Sequence, residues 1–158
     1  MQTIFKSPTK LPKITQPIIF LAGSIEMGVA EDWQTRITKA LEDLDVCILN
    51  PRRDAWDDSW EQKIENEQFR EQVEWELDGQ ERADLIAMFF DPNTKSPITL
   101  LELGLFARTQ KVIVFCEEGF WRKGNIDIVC ERYGIPRFAT EEEFITEIRT
   151  RRKKNFLP

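Results

Sequence analysis

Histidine is absent from this 158-residue chain, which removes the side chain that most often serves as general base and metal ligand. The three cysteines, Cys47, Cys116 and Cys130, show no CxxC spacing, a pattern typical of reduced structural thiols and not of a zinc site or disulfide framework. No apolar run approaches the roughly 20 residues of a membrane-spanning helix. Any acid–base chemistry therefore falls to carboxylates.

The composition is that of one globular domain, with 41% hydrophobic and 32% charged residues and a net charge of -6. The first residues lack the apolar core of a signal peptide, so we expect a cytoplasmic protein with no membrane partner. An acidic chain without a recognisable nucleic-acid module predicts no nucleic-acid partner. The expected organisation is a flexible leader over 1–16, a domain over 17–150 and a basic tail over 151–158.

Short apolar segments alternate with amphipathic segments along the chain. The former predict strands at Pro17–Ala22, Val46–Leu49, Ala83–Phe90, Lys111–Phe115 and Ile135–Phe138. The latter predict helices over 31–43, 62–82, 97–107 and 124–133, and from residue 140 onwards. This alternation predicts a three-layer, flavodoxin-like α/β fold with about five parallel strands. Ligands of such sheets bind beyond the carboxyl ends of the strands, where loops 23–29, 50–60 and 91–97 would lie.

Glu102 is the most informative residue, because it is the only charged residue in the predicted helix 97–107. A desolvated carboxylate there costs several kcal/mol unless something pairs with it. A buried salt bridge to arginine and a catalytic role both explain it, and the catalytic role is favoured because the helix begins at the ligand-binding edge. Gly104 is unfavourable in a helix by about 1 kcal/mol relative to alanine, which predicts close approach of another backbone.

Glu76 is a second carboxylate that points toward the core side of its helix. We expect it beside an apolar stripe of Phe69, Val73 and Leu77, either as a locally paired boundary acid or as a functional group. Asp84, at the opposite end of its strand from the expected site, predicts a structural cap.

The loops supply further candidates. Gly23 and Ser24 form a tight turn or offer backbone N–H groups and a hydroxyl to a ligand. Arg52 and Arg53 are surface charges, phosphate ligands or carboxylate partners. Trp56 and Trp60 stack on a base or pack against the protein. The residues alone leave these alternatives open.

Four segments in this order resemble the nucleoside 2-deoxyribosyltransferase family: Ile19–Ile25, Asn50–Arg53, Gln72–Leu77 with Ala83-Asp84, and Leu100–Ala107. The resemblance implies transfer of 2'-deoxyribose between bases through a covalent glutamyl intermediate, without a metal or organic cofactor. It implies a deoxynucleoside or deoxynucleotide as small-molecule partner, and a homo-oligomer with shared active sites.

By this resemblance Glu102 is the nucleophile, Glu76 handles the proton on the leaving base, and Asn125 holds the sugar 5'-hydroxyl in a neighbouring subunit. The other expected substrate-binding residues are Gly23, Ser24, Ile25, Asn50, Arg52, Trp56 and Ser96. Three positions depart from the family pattern. Ile19 stands where the family often has a tyrosine, Ser96 where it often has an acidic residue, and Glu76 where it usually has an aspartate.

Two other functions stay open. Related hydrolases cleave deoxynucleoside 5'-monophosphates and usually have a basic residue after Gly-Ser-Ile, where this chain has Glu26. We therefore favour an unphosphorylated substrate. A non-catalytic nucleotide-binding or sensing module on the same fold would explain the departures from the family pattern.

Overall fold

A computed structural model gives the fold and describes residues 1–25, 30–54 and 59–157. Within these ranges six strands and five helices are present. The strands are β1 (Thr3–Lys6), β2 (Ile18–Gly23), β3 (Cys47–Asn50), β4 (Leu85–Phe90), β5 (Val112–Cys116) and β6 (Arg137–Phe138). The helices are α1 (Trp33–Ala40), α2 (Glu67–Arg82), α3 (Pro97–Phe106), α4 (Lys123–Tyr133) and α5 (Glu141–Lys153). In this part of the chain, no helix is both long and apolar enough to cross a membrane.

The strands form one parallel sheet in the order β1-β3-β2-β4-β5-β6. The order from β3 to β6 is that of a flavodoxin-like sheet. After β2 the chain forms β3 on one side of β2 and then crosses to form β4 on the other side, so the strand order reverses between β2 and β4. Helices α2, α3 and α4 pack against one face, and α1 and α5 against the other. The predicted three-layer flavodoxin-like fold is confirmed.

Strand β2 shows why the central strands are apolar throughout. Ile18, Phe20 and Ala22 pack on the side of α2 and α3, whereas Ile19 and Leu21 pack on the side of α1 and α5. A strand covered on both faces has no position for a solvated side chain. The strand ends at Gly23, where an added Cβ would lie 2.4 Å from the carbonyl oxygen of Phe89, so only glycine allows β2 to end this close to β4.

The ordered domain extends beyond the expected boundaries at both ends. Thr3–Lys6 pairs with β3 as an edge strand, where a flexible leader was predicted. Helix α5 continues to Lys153, and Phe156 is buried in the core, where a solvated tail was predicted. Both segments were predicted from composition to be solvated. Lysines and prolines surround β1, and arginines surround residue 150, so the composition there is that of a polar terminus.

Asp84 has a structural role, as predicted, because its Oδ2 accepts a hydrogen bond from the backbone N–H of Ile18, the first residue of β2, at 2.8 Å. Gly104 has no second backbone beside it within the described residues of the chain, since a Cβ added there would meet no atom within 4 Å. Gly104 lies on the outer surface of α3 and not against a second backbone.

Candidate functional site

Glu102 lies at the boundary between α2 and α3. It is 7% exposed and shares the inner face of α3 with Thr99, Leu103 and Phe106. Its Oε2 accepts a hydrogen bond from Nε2 of Gln80. Among the described residues no lysine or arginine nitrogen lies within 4.0 Å of its carboxylate, which excludes the buried salt bridge that the sequence left open.

Glu76 lies one helical turn before Gln80, on the same side of α2. Its Oε1 accepts a hydrogen bond from Nε2 of Gln72 at 2.7 Å, and its backbone oxygen accepts one from Nε2 of Gln80 at 3.2 Å. Residues four apart stand one above the other on a helix surface. Gln72, Glu76 and Gln80 therefore form one polar row that leads to Glu102.

The two carboxyl groups are electrostatically coupled. Burial raises the pKa of Glu102 to about 8, the negative charge of Glu76 contributes in the same direction, and the hydrogen bond from Gln80 opposes the rise. Burial also raises the pKa of Glu76 to about 7, against the hydrogen bond from Gln72 and the positive charge of Arg53. Near neutral pH the pair therefore retains about one proton or more, as expected of two carboxyl groups that share a desolvated site.

Arg53 connects the loop after β3 to this polar row. Its Nε donates to Oε1 of Gln72, and its terminal nitrogen donates to Oε1 of Glu71 at 3.0 Å. The guanidinium also stacks over the ring of Trp60, 4.9 Å from the ring centroid. Of the interpretations given to Arg53, the structure supports that of a carboxylate and amide partner close to Glu76.

Ser24 and Ser96 meet at the carboxyl edge of the sheet. Their hydroxyls are hydrogen-bonded to each other, and Oγ1 of Thr94 lies 3.0 Å from Oγ of Ser24 and 2.8 Å from Oγ of Ser96. The N–H of Ser24 donates to the carbonyl of Phe89 at 3.1 Å, so it is engaged within the sheet and not presented to a ligand. The buried hydroxyl cluster joins the end of β2 to the start of α3.

Ser96 stands at the N-cap position of α3 but does not cap the helix with its side chain. Its φ of 46° lies in the left-handed region, and its side chain makes no hydrogen bond to the first turn of the helix. The hydroxyl turns instead toward Ser24 and Thr94. A non-glycine residue held in this region is strained and needs support from its surroundings, which the hydroxyl cluster provides.

Asn50 and Arg52 organise the loop that follows β3. Oδ1 of Asn50 accepts a hydrogen bond from the N–H of Arg52 at 3.0 Å. The guanidinium of Arg52 donates to the carbonyl of Glu31 at 2.9 Å and to Oε1 of Gln34 at 3.2 Å. These contacts tie the β3 loop to the start of α1 and engage the guanidinium with protein acceptors.

Several predicted residues remain apart from the carboxyl pair. Ile25 accepts a backbone hydrogen bond from Ala30 at 3.1 Å, and Asn125 is exposed in the first turn of α4. Trp56 and Glu26 lie outside the described residues. For all eight expected substrate-binding residues, direct substrate contact stays a prediction: Gly23, Ser24, Ile25, Asn50, Arg52, Trp56, Ser96 and Asn125.

Two surface pockets lie away from the carboxyl pair. A pocket of about 290 Å³ at the carboxyl ends of β5 and β6 is lined by Lys123, Asp127 and Arg137, among others. Another, of about 330 Å³, lies beside Asp43 and Arg149. Neither includes a predicted site residue.

Within the described ranges no group of three or more Cys, Asp or Glu side chains has the arrangement of a metal site.

The family model for "Nucleoside 2-deoxyribosyltransferase like" proteins matches residues 16–120, about two thirds of the chain. The chain belongs to this family. Among curated proteins there is no match. Membership in the nucleoside 2-deoxyribosyltransferase-like family indicates an enzyme of glycosyl transfer that binds a nucleoside.

The family match includes both carboxylates, the Gly23-Ser24 turn and the loop at Asn50, but it ends before Asn125. Within this nucleoside 2-deoxyribosyltransferase-like domain the departure at Ile19 has little bearing on Glu102. Ile19 packs on the side of α1 and α5, the opposite face of the sheet from α3. A larger side chain at position 19 would therefore point away from the carboxyl pair.

The groups that hold the carboxylates were not predicted from the sequence. Gln72 and Gln80 are buried, and each donates a hydrogen bond to one of the two acids. Ser7, from the predicted leader, donates to Oε1 of Gln72. The spacing of Gln72, Glu76 and Gln80 at intervals of four residues was a readable signal, because it places three polar side chains on one face of a helix.

Proposed function

We propose that the protein transfers 2'-deoxyribose between bases by breaking the N-glycosidic bond of a 2'-deoxynucleoside, with Glu102 as nucleophile and Glu76 as proton carrier. One observation carries the proposal: the single carboxylate of α3 is buried, unpaired with any described cation and electrostatically coupled to a second carboxyl group on α2. The family match supports the reaction class.

The proposed reaction has two displacements at the anomeric carbon. As the bond from C1' to the base nitrogen breaks, an oxygen of Glu102 bonds to C1', and Glu76 gives its proton to the departing base. The product is a deoxyribosyl ester of Glu102. A second base then attacks C1' from the face that the first one left, the ester bond breaks, and Glu76 takes the proton of the incoming base. Configuration is retained because two inversions occur.

The first displacement needs the shared proton on one particular acid. In the free protein burial raises the pKa of both carboxyl groups, and the reaction needs an ionised Glu102 and a protonated Glu76. Positive charge that develops on the sugar favours the ionised form of the carboxyl group nearest to it. As the glycosidic bond breaks, this charge therefore favours an ionised Glu102 and leaves the shared proton on Glu76, which passes it to the base.

An unphosphorylated nucleoside fits the charges around the site. Both arginines of the β3 loop have protein acceptors: Arg52 binds carbonyl oxygens before α1, and Arg53 binds Gln72 and Glu71. A phosphate group would have to displace these partners. It would also meet the negative charge of the carboxyl pair at short range, which is unfavourable.

Product analysis tests the proposal directly. The protein is incubated with each deoxynucleoside and each deoxynucleoside 5'-monophosphate, with and without a free acceptor base, and the products are separated by liquid chromatography. We expect a new nucleoside only when a deoxynucleoside and an acceptor base are both present. Free deoxyribose 5-phosphate from the monophosphates would identify the hydrolase instead. Binding without turnover of any donor would identify a nucleotide-sensing module and contradict the proposal.

A second copy of the chain is the proposed partner of the outer face of α3. Ile98, Leu101 and Leu105 are 56%, 60% and 55% exposed there, and Gly104 leaves the helix backbone open between them. Ile128 of α4 is also exposed. An apolar stripe on the helix that carries the nucleophile would bring a neighbouring subunit close to the active site, as shared sites require.

The assembly is tested by light scattering of the purified protein. We expect the wild type to have a multiple of the 18.6 kDa chain mass, and the double variant Leu101→Glu/Leu105→Glu to have the mass of one chain, because two charges in the stripe oppose its burial. Thr146→Glu, an exposed change on α5 at the other face of the sheet, is the control and should leave the mass unchanged. A monomeric wild type would contradict the proposed assembly.

A further inference from the structure

Gln80 has an incomplete set of hydrogen bonds. Its side chain is fully buried at 0% exposure between α2 and α3. Nε2 donates both to the backbone oxygen of Glu76 and to Oε2 of Glu102. Within the described residues Oε1 has no hydrogen-bond partner. A buried carbonyl oxygen without a partner costs free energy, and such a group in a native fold requires an explanation.

The unpartnered oxygen belongs to the same amide that serves Glu102. An ionised carboxylate only accepts hydrogen bonds, whereas a protonated carboxyl group also donates one. Rotation of the amide about its last side-chain torsion exchanges the positions of Nε2 and Oε1. In the observed orientation Gln80 donates to ionised Glu102 and to the backbone oxygen of Glu76, and in the other it accepts from protonated Glu102 and gives up the bond to Glu76.

We propose, on the basis of the proposed function, that Gln80 is a positioning residue that holds the carboxyl group of Glu102 in place in both of its protonation states. The carboxyl group of Glu102 loses and regains a proton during the catalytic cycle. A partner that bonds only the ionised form, or only the protonated form, would release the carboxyl group in the other form. The charged group that faces Glu102 is Glu76 from α2, and Arg53 from the β3 loop acts in turn on Glu76.

Loss of the amide has two consequences. Without the amide both forms of Glu102 lose a hydrogen bond, but the ionised form loses the stronger one because that bond is charge-assisted, so the titration midpoint of Glu102 rises. Without either partner, the carboxyl group is less well oriented for attack, so kcat falls by roughly 10- to 100-fold. KM changes little, because a fully buried side chain makes no contact with the substrate.

The test uses Gln80→Met, which keeps the length of the side chain and removes both polar atoms. Glutamate side chains labelled with ¹³C are titrated by NMR, and the Glu102 signal is assigned by its loss in Glu102→Gln. We expect the Glu102 midpoint to rise by roughly one pH unit in Gln80→Met. Gln68→Met, an exposed change on the same helix, should not move it. Circular dichroism checks folding, and Gln80→Leu replaces the first variant if that one does not fold.

The two proposals fail separately. An unmoved Glu102 midpoint in a folded Gln80 variant would overturn the role of Gln80, whatever the activity of the wild type. A shift of equal size in Gln68→Met would overturn it as well. Failure of the wild type to turn over any donor would reject the proposed function, and the titration would still decide whether Gln80 supports Glu102.

Discussion

Glu102→Gln is expected to lower turnover of the best deoxynucleoside donor by about 10³-fold or more, the scale of loss when a covalent nucleophile is removed. The neutral amide has nearly the same shape, so the substrate site keeps its form, but it cannot bond to the anomeric carbon or stabilise positive charge there. KM should change far less than kcat. Initial rates over a range of donor concentrations measure both parameters.

Glu81→Gln is the matched control for this experiment. It makes the same chemical change at an exposed position of α2, one residue after Gln80, and should retain wild-type rates. Mass spectrometry of the wild type mixed with donor alone should show a protein species heavier by one deoxyribosyl group, absent from Glu102→Gln. Normal turnover by Glu102→Gln would show that Glu102 is not the nucleophile.

The fold was predictable because its signals were local and repeated. Apolar runs such as Ile18–Gly23 are long enough for strands, and the helices between them show helical spacing of apolar residues. The edge strand β1 was missed because it is only four residues long, has β3 as its one neighbour, and has the polar residues Thr3 and Lys6 at its two ends. An edge strand needs only half of the apolar pattern of a central one, so composition alone does not reveal it.

The presence of helix α2 was predictable, but the face that it buries was not. The expected stripe of Phe69, Val73 and Leu77 is only partly buried, and the buried face instead carries Gln72, Trp75, Gly79 and Gln80. A hydrophobic pattern predicts that glutamine faces solvent. Both glutamines are buried nevertheless, because each donates a hydrogen bond to an acid beside it. Whether a polar side chain finds a partner depends on the other elements, which periodicity along one helix does not report.

Glu102 was predictable for the opposite reason. A single charge in an otherwise apolar helix conflicts with its surroundings, and such conflicts concentrate at functional sites. The sequence did not reveal what accompanies it. An arginine partner was the alternative to a catalytic role. The structure instead places an amide and a second acid beside Glu102, and burial raises the pKa of both acids.

The same conflict predicts that stability falls as pH rises. A carboxyl group whose pKa is higher in the folded chain binds its proton more tightly there, so no stability is lost below the ordinary pKa of 4.5. As the pH rises from 4.5 toward about 8, the unfolded chain ionises freely while the folded chain must either keep the proton or bury a charge. The free energy of unfolding should therefore decrease across this range.

Glu102→Gln should remove a large part of this decrease, while the raised pKa of Glu76 accounts for the rest. It should stabilise the protein at pH 8 by about 2–4 kcal/mol, since each unit of pKa shift corresponds to about 1.4 kcal/mol. Few other groups of the folded chain titrate between pH 5 and pH 8, because the chain has no histidine and burial raises the cysteine pKa values to about 11 or 12. Urea unfolding at pH 5, 6, 7 and 8 measures the effect, with Glu81→Gln as control. Parallel pH curves for Glu102→Gln and wild type would show that Glu102 titrates normally. A variant that gains stability where it loses turnover would show that the folded chain bears a cost to keep this carboxyl group buried.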